Sequence, residues 1–423
     1  MPALYLVQRV VQMMQDILTK DNQATRKVRS DETIRVNERR LSERKNQPRL
    51  VFMDNVRWVM ILLVLSMHAA VTYSPLGNWY YREHLAIGPI STLFFATYQG
   101  VLQGFFMALL FFIAGYFATR SYDAKGAGSF IAGRLYRLGL PTLFFVGLLG
   151  PLTEYFVAHS WHTNQSFAHE MGLYFLRGRF LSGTGPMWFC AALLIFSAMY
   201  ALVEASGVSA ALGRPGNLQI SASGVGLTIA AMAISTFLIR IIQPMGTSLF
   251  NMQLCYFPSY IIMFSLGIAA GRAAWIEEVT DRFAWIAAGL CVGTAMLMWL
   301  PLLILGGALR GNSEAFGGGL HWQSAGLSLW EALICVGMGF GVLAGFRAWF
   351  SNQGKISKFM SDNAFAVYVI HPPILVGLAL VFSGFATPAV PKFVLLWVSS
   401  ALACFGLAAP VVRRVPVLGR ILQ

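Results

Sequence analysis

Apolar and polar positions alternate along this chain in long blocks rather than at the short periods of a soluble domain. From Val56 onward the apolar blocks run to about 17–25 residues, the length a helix needs to cross a hydrocarbon core of about 30 Å. They predict spans at 56–74, 92–118, 138–158, 186–204, 223–242, 255–271, 283–305, 326–346, 364–383 and 392–411. The fold class is therefore all-α: a polytopic integral membrane protein of about ten transmembrane helices. The second block is long enough to be tilted or broken. Pro372–Pro373 predict a kink in the ninth, because proline supplies no N–H and frees carbonyls one turn earlier. No internal repeat is visible, so the inverted-repeat plan common in secondary transporters is not supported.

The first 50 residues follow another pattern. Leu4, Val7, Val10, Val11, Met14, Ile17 and Leu18 lie at helical spacing, and the stretch from Lys20 to Arg49 is charged and nearly free of aromatics. This reads as a short amphipathic helix and a basic cytoplasmic tail, residues 1–50, ahead of a transmembrane domain, residues 51–423. The apolar run Ala3 to Val7 is too short for a signal core, so the first span is expected to act as its own insertion signal.

Composition sharpens this picture. Hydrophobic residues make up 57% of the 423 residues and charged residues 12%, against roughly 45–50% and 25% in soluble domains. The net charge of +13 would suggest nucleic acid in a soluble protein. Here it reads as topology and contact with anionic lipid headgroups, and no nucleic acid is expected. Twenty-five of the 31 Lys and Arg residues fall in the tail, alternate loops and C-terminus, and six (Arg82, Arg177, Arg179, Arg240, Arg310 and Lys392) fall on the other side. The excess predicts both termini inside. Trp79, Tyr80, Tyr81, Trp161, Trp188 and Trp322 mark the opposite side, as an interfacial belt or as a stacking surface for sugar rings. All five cysteines fall inside predicted spans with no metal-ligand spacing, which reads as apolar core.

Ionisable groups inside apolar blocks are the candidate functional residues, since each costs a few kcal/mol in hydrocarbon. His68, in VMILLVLSMHAAVTY, lies about 16 Å along the helix axis from Arg57, near the bilayer midplane. Imidazole is the side chain best poised to accept a proton near neutrality. Arg134 and Arg137, in GRLYRLGLP, are three apart and share one helical face. They read either as inner-side anchors or as a clamp for the phosphates of a cytoplasmic ligand. His371, in YVIHPPIL, is expected beside an irregular stretch that lines a cavity. Glu331, Glu154, Gln99 and Gln103 are further polar positions that would hold His68 or line an outer pocket. No H-E-x-x-H, Walker loop, G-x-S-x-G or G-x-G-x-x-G is present, and no metal is expected.

Together these segments resemble the membrane acyltransferase-3 family, including glucan-modifying succinyltransferases. The resemblance starts at LVFMDNVRWVMILLVLSMHAAVTYS, with a basic residue, a ten-residue gap and His (Arg57 and His68). It continues through FFMALLFFIAGYFATRSYDAKG, GRLYRLGLP, GPMWFCAALLIFSAMYAL, YFPSYIIMFSLGIAAGRAAW, YVIHPPIL and RRVPVLGRIL, over roughly residues 50 to 423. One departure is Ala114 in IAGY, where the family often has Ser.

The resemblance implies a ten-helix core that transfers a short acyl group, acetyl or succinyl, from cytoplasmic acyl-CoA to a hydroxyl of a carbohydrate or glycan. His68 would be catalytic, and Arg57, Arg134 and Arg137 would bind acetyl-CoA or succinyl-CoA. His371, Trp188, Glu331 and Gln103 would line the substrate cavity. A bacterial inner membrane is the expected location, and the oligomeric state stays open, a homodimer included. Two other readings are a transporter or flippase of a glycan or lipid-linked sugar, and a membrane sensor or assembly subunit docking through its tail.

Overall fold

The computed structural model describes residues 50–160, 166–207, 220–273 and 275–414. The tail's expected amphipathic helix, Trp161 and the C-terminal Arg420 lie outside them. Among the described residues there is helix and no strand. The principal helices are α1 Val51–Tyr73, α2 Pro89–Arg134, α3 Gly150–Ser160, α4 Phe167–Leu176, α5 Trp188–Ala205 and α6 Ala222–Ile242. They continue with α7 Phe257–Ala273, α8 Asp281–Leu305, α9 Trp322–Trp349, α10 Lys355–Phe382 and α11 Ala389–Arg414.

Nine helical segments among the described residues are long and apolar enough to cross a membrane. One of them, Pro89–Ser160, is 72 residues long. At 1.5 Å per residue it would reach about 108 Å, length enough for the two crossings expected over 92–158. The basic loop expected at 119–137 is therefore helical. Ala, Arg and Lys there are good helix formers and no proline interrupts them, so the helix runs on past the apolar block. Inside it the backbone leaves helical geometry at Gly126 (φ +73°), where two helices meet at a kink, and π-turns follow at Leu135–Gly139 and Phe145–Leu149.

Capping follows local chemistry. Ser221 Oγ accepts from Gly224 N at the start of α6, and Thr280 Oγ1 accepts from Phe283 N at the start of α8. Packing of α2 on α7 is set by three glycines. A Cβ at Gly115 would stand 2.2 Å from Phe264 O, one at Gly267 2.1 Å from Phe112 O, and one at Gly271 2.7 Å from Tyr116 O. Bare backbones thus touch, the small-xxx-small packing that membrane helices use where burial in lipid gives little drive.

Helix α10 is assigned without a break from Lys355 to Phe382, with both prolines of the expected kink inside it. At the Phe52 end of α1, the buried Asn55 donates to Phe350 O (2.7 Å) and accepts from Ser357 Oγ (2.6 Å), fastening α1 to the α9–α10 turn. All five cysteines are buried and free.

Candidate active site

Two cavities compete for the role. One, of about 320 Å³, is walled by apolar side chains such as Phe52, Met263, Phe340 and Leu343. Its one charged wall residue, Arg347, is already bonded to Asp281 and to the carbonyls of Ile276 and Val279. The other, of about 340 Å³, is walled by His68, Trp79, Tyr80, Gln103, Glu154, Trp188, Tyr256 and Tyr260, with the amides Asn78, Asn251 and Gln253. Only the second joins an imidazole to amide and phenol groups able to bond hydroxyls, which makes it the candidate site.

His68 presents a half-buried ring to this cavity. The Trp79 indole stacks on it with centroids 3.7 Å apart and planes 17° apart. His371 lies 5.3 Å away in a nearly parallel plane (16°), fully buried and off the cavity wall. The proline pair explains how His371 is held. In a helix the N–H of residue 372 would bond to the carbonyl of residue 368, but Pro372 has none. The freed Tyr368 carbonyl instead accepts from His371 Nδ1 at 2.7 Å. That fixes the tautomer and leaves the buried Nε2 without a partner.

Other wall residues are pinned by the loop 182–187. A Cβ at Gly183 would overlap the Tyr174 hydroxyl, and one at Gly185 (φ +47°) would sit 2.5 Å from the Tyr80 hydroxyl. Asn251 Nδ2 donates to Gly185 O (2.8 Å), and the Tyr368 hydroxyl donates to Pro186 O. Sequence reading missed this loop, although the S-G-T-G-P run carried the signal. Burial first, then the Glu154 carboxylate, pushes the Tyr80 hydroxyl far above the usual phenol range. Tyr174 is pushed up to about 12 by burial and by Glu154, with Arg179 opposing. Both phenols are therefore hydrogen-bond donors at any ordinary pH.

The remaining predicted residues fall into distinct places. Gln103 lines the cavity and donates to the Tyr260 hydroxyl (3.1 Å), on which Trp188 stacks at 5.7 Å. Glu154 lines it too, within 2.7 Å of Arg179. Gln99 instead accepts from Ser74 at the end of α1. Glu331 is not on the wall. It forms a buried 2.6 Å ion pair with Arg240, whose guanidinium lies over Tyr256, a wall residue, at 5.5 Å. Arg240 had read as an outer-side residue and is fully buried.

At the other end of α1, Arg57 bonds Asp54 (3.0 Å) and covers the Phe117 ring. Arg134 covers Phe130 and feels the charges of Arg57 and Arg137, which places the three guanidiniums in one neighbourhood. Among the described residues, no carboxylate pairs with Arg134 or Arg137. The backbone between them is not the α-helix expected from their spacing. The π-turn begins between them, and Arg134 is half-buried where Arg137 is exposed.

Comparison with protein families decides the class: residues 50–412 match Acyl_transf_3, described as an acyltransferase domain. The chain belongs to the acyltransferase-3 family. It is a multi-pass membrane acyltransferase, as the resemblance implied. No curated protein and no solved structure matches it. In this acyltransferase, the Ala114 departure lies in the apolar core beside Gly115 and not on the cavity wall.

Proposed function

We propose that this acyltransferase moves an acetyl or succinyl group from cytoplasmic acyl-CoA to a hydroxyl of a carbohydrate or glycan acceptor. The observation that carries the reading is His68 on the wall of a cavity built from aromatic rings and amides. Sugar rings offer apolar C–H faces to aromatic side chains, and their hydroxyls need the donors and acceptors that Asn78, Gln103, Asn251 and Gln253 carry.

In this reading the acyl-CoA phosphates stay at the Arg57, Arg134 and Arg137 end, since a polyanion enters hydrocarbon only at great cost. The thioester reaches His68 from that side, and the acceptor hydroxyl from the cavity. His68 takes the hydroxyl proton as the oxygen attacks the thioester carbonyl. The tetrahedral intermediate collapses with cleavage of the C–S bond. The departing CoA thiolate takes the proton from His68, so the ring returns to its starting state. Enclosure by Trp79 and His371 limits water and hydrolysis of the thioester.

Mass spectrometry of surface glycans, lipids and small glycosides tests the proposal, in cells carrying the wild type or His68→Ala. An acylated product that disappears in the variant supports it. Undiminished acylation by a well-folded variant overturns the assignment of the base. The transport alternative is not favoured by any feature of the cavity, and family membership counts against it.

A further inference from the structure

The segment between α1 and α2 is a closed loop. Glu83 N donates to Thr72 O (2.8 Å) and Arg82 Nη2 donates to Ser74 O (3.1 Å), so residues 74–82 are pinched at a neck. Trp79 projects from this loop onto His68. The indole N–H of Trp79 is buried and makes no hydrogen bond. Its ring is therefore placed by stacking, by apolar packing and by the neck, with no hydrogen bond of its own.

At that neck lies a charge pair from opposite ends of the domain. Lys392 Nζ donates to Glu83 Oε1 at 2.5 Å, and the lysine side chain is fully buried. The same ammonium donates to Phe385 O (3.1 Å) and Ser383 O (3.5 Å), in the turn that ends α10. Lys392 belongs to the first turns of α11, and α10 carries His371. One ammonium thus ties the Trp79 loop to the helix whose His371 ring is parallel to the indole, 3° between planes at 6.2 Å. Taking such a pair out of water costs about as much as it returns in stability, and the best-attested use of buried pairs is to fix a register.

We propose that Glu83 and Lys392 are positioning residues: a latch that holds the Trp79 loop down and thereby orients His68 for proton transfer. The inference rests on His68 acting as the base. It assigns work to two residues that touch neither the cavity nor the Arg134 end.

The test is the rate of free CoA release from acetyl-CoA or succinyl-CoA in membrane vesicles that retain the native acceptor. Lys392→Met lowers the maximal rate about 10- to 100-fold, the cost of an ångström-scale misplacement, while the KM for acyl-CoA stays within about twofold. In a Trp79→Ala background the same substitution changes the rate by less than about twofold, because the group it positions is gone. Glu83→Gln/Lys392→Met, which leaves no buried charge, replaces the single variant where that one folds poorly. Hydrogen exchange of residues 74–88 supplies a readout independent of activity, and exchange is faster in Lys392→Met.

Equal rate losses with and without Trp79, an undiminished rate with Trp79 present, or unchanged exchange overturn the latch. His68→Ala separates the two proposals. Full activity in that variant removes the base. An inactive His68→Ala beside an intact Lys392→Met removes only the latch.

Discussion

Replacing Arg240 by Met is the sharpest test of how the cavity is supported. Arg240 and Glu331 are 0% and 10% exposed and 2.6 Å apart. Arg240 also donates to Ser328 Oγ (3.3 Å) and lies over Tyr256. Removing the guanidinium strands a buried carboxylate, which costs about 3–5 kcal/mol, or roughly two to three and a half decades in the folded-to-unfolded ratio. Removing both charges with Arg240→Met/Glu331→Leu leaves no orphan, so most of that loss is recovered.

Thermal and denaturant unfolding in one detergent measures all three proteins. A double variant no more stable than Arg240→Met, or a single variant as stable as wild type, refutes the reasoning. The same series decides the role of Glu331. If it only pairs with Arg240, the stability-matched double variant keeps turnover within about threefold of wild type, and a loss of orders of magnitude assigns Glu331 to the chemistry.

Other perturbations address other parts of the site. Pro372→Ala supplies an N–H that competes with His371 Nδ1 for the Tyr368 carbonyl. It lowers the maximal rate about tenfold with little change in KM, as steady-state kinetics in vesicles will show. Arg134→Gln and Arg137→Gln each raise the KM for acyl-CoA about tenfold, the worth of one charge-assisted hydrogen bond, and an unchanged KM removes the clamp. Gly267→Val forces α2 and α7 apart, since a Cβ there would stand 2.1 Å from Phe112 O. It abolishes the monodisperse peak in size-exclusion chromatography, whereas Gly289→Val, where a Cβ meets nothing within 4 Å, does not.

Much of the fold was legible because a bilayer imposes one length on every span. His68 and His371 stood out for a related reason, as ionisable groups where hydrocarbon tolerates few. What stayed hidden depends on pairings that no local pattern carries. Lys392 and Arg240 were read by their place near block ends, as outer-side charges, yet each is buried against a carboxylate far away in the chain: Glu83 and Glu331. The 119–137 segment reads as a loop from its charges, although its helix formers carry helix up to a kink at Gly126 and on again beyond it. The R-x-x-R pair reads at an α-helical period, and no local pattern announces the π-turn that begins between the two arginines.

These hidden pairings bear on one another. Three parts of the chain meet at His68: α1 supplies the ring, the loop after it supplies Trp79, and the distant α10 supplies His371. Each partner is fixed by a different device, Trp79 by the neck at Glu83 and His371 by the carbonyl that Pro372 releases. Neither device adds a polar contact to the His68 ring. Its ring is aligned by stacked surfaces, which leaves its nitrogens available for the proton transfers of the proposed reaction. A hydrogen-bonded carboxylate would also orient an imidazole, and by stabilising the imidazolium would raise its basicity; here the alignment is left to the stack. Introducing an acidic side chain beside the ring, as in Trp79→Glu, is therefore expected to slow turnover more than Trp79→Phe, which keeps an aromatic stack. Comparing the two rates in vesicles distinguishes alignment by stacking from alignment by charge.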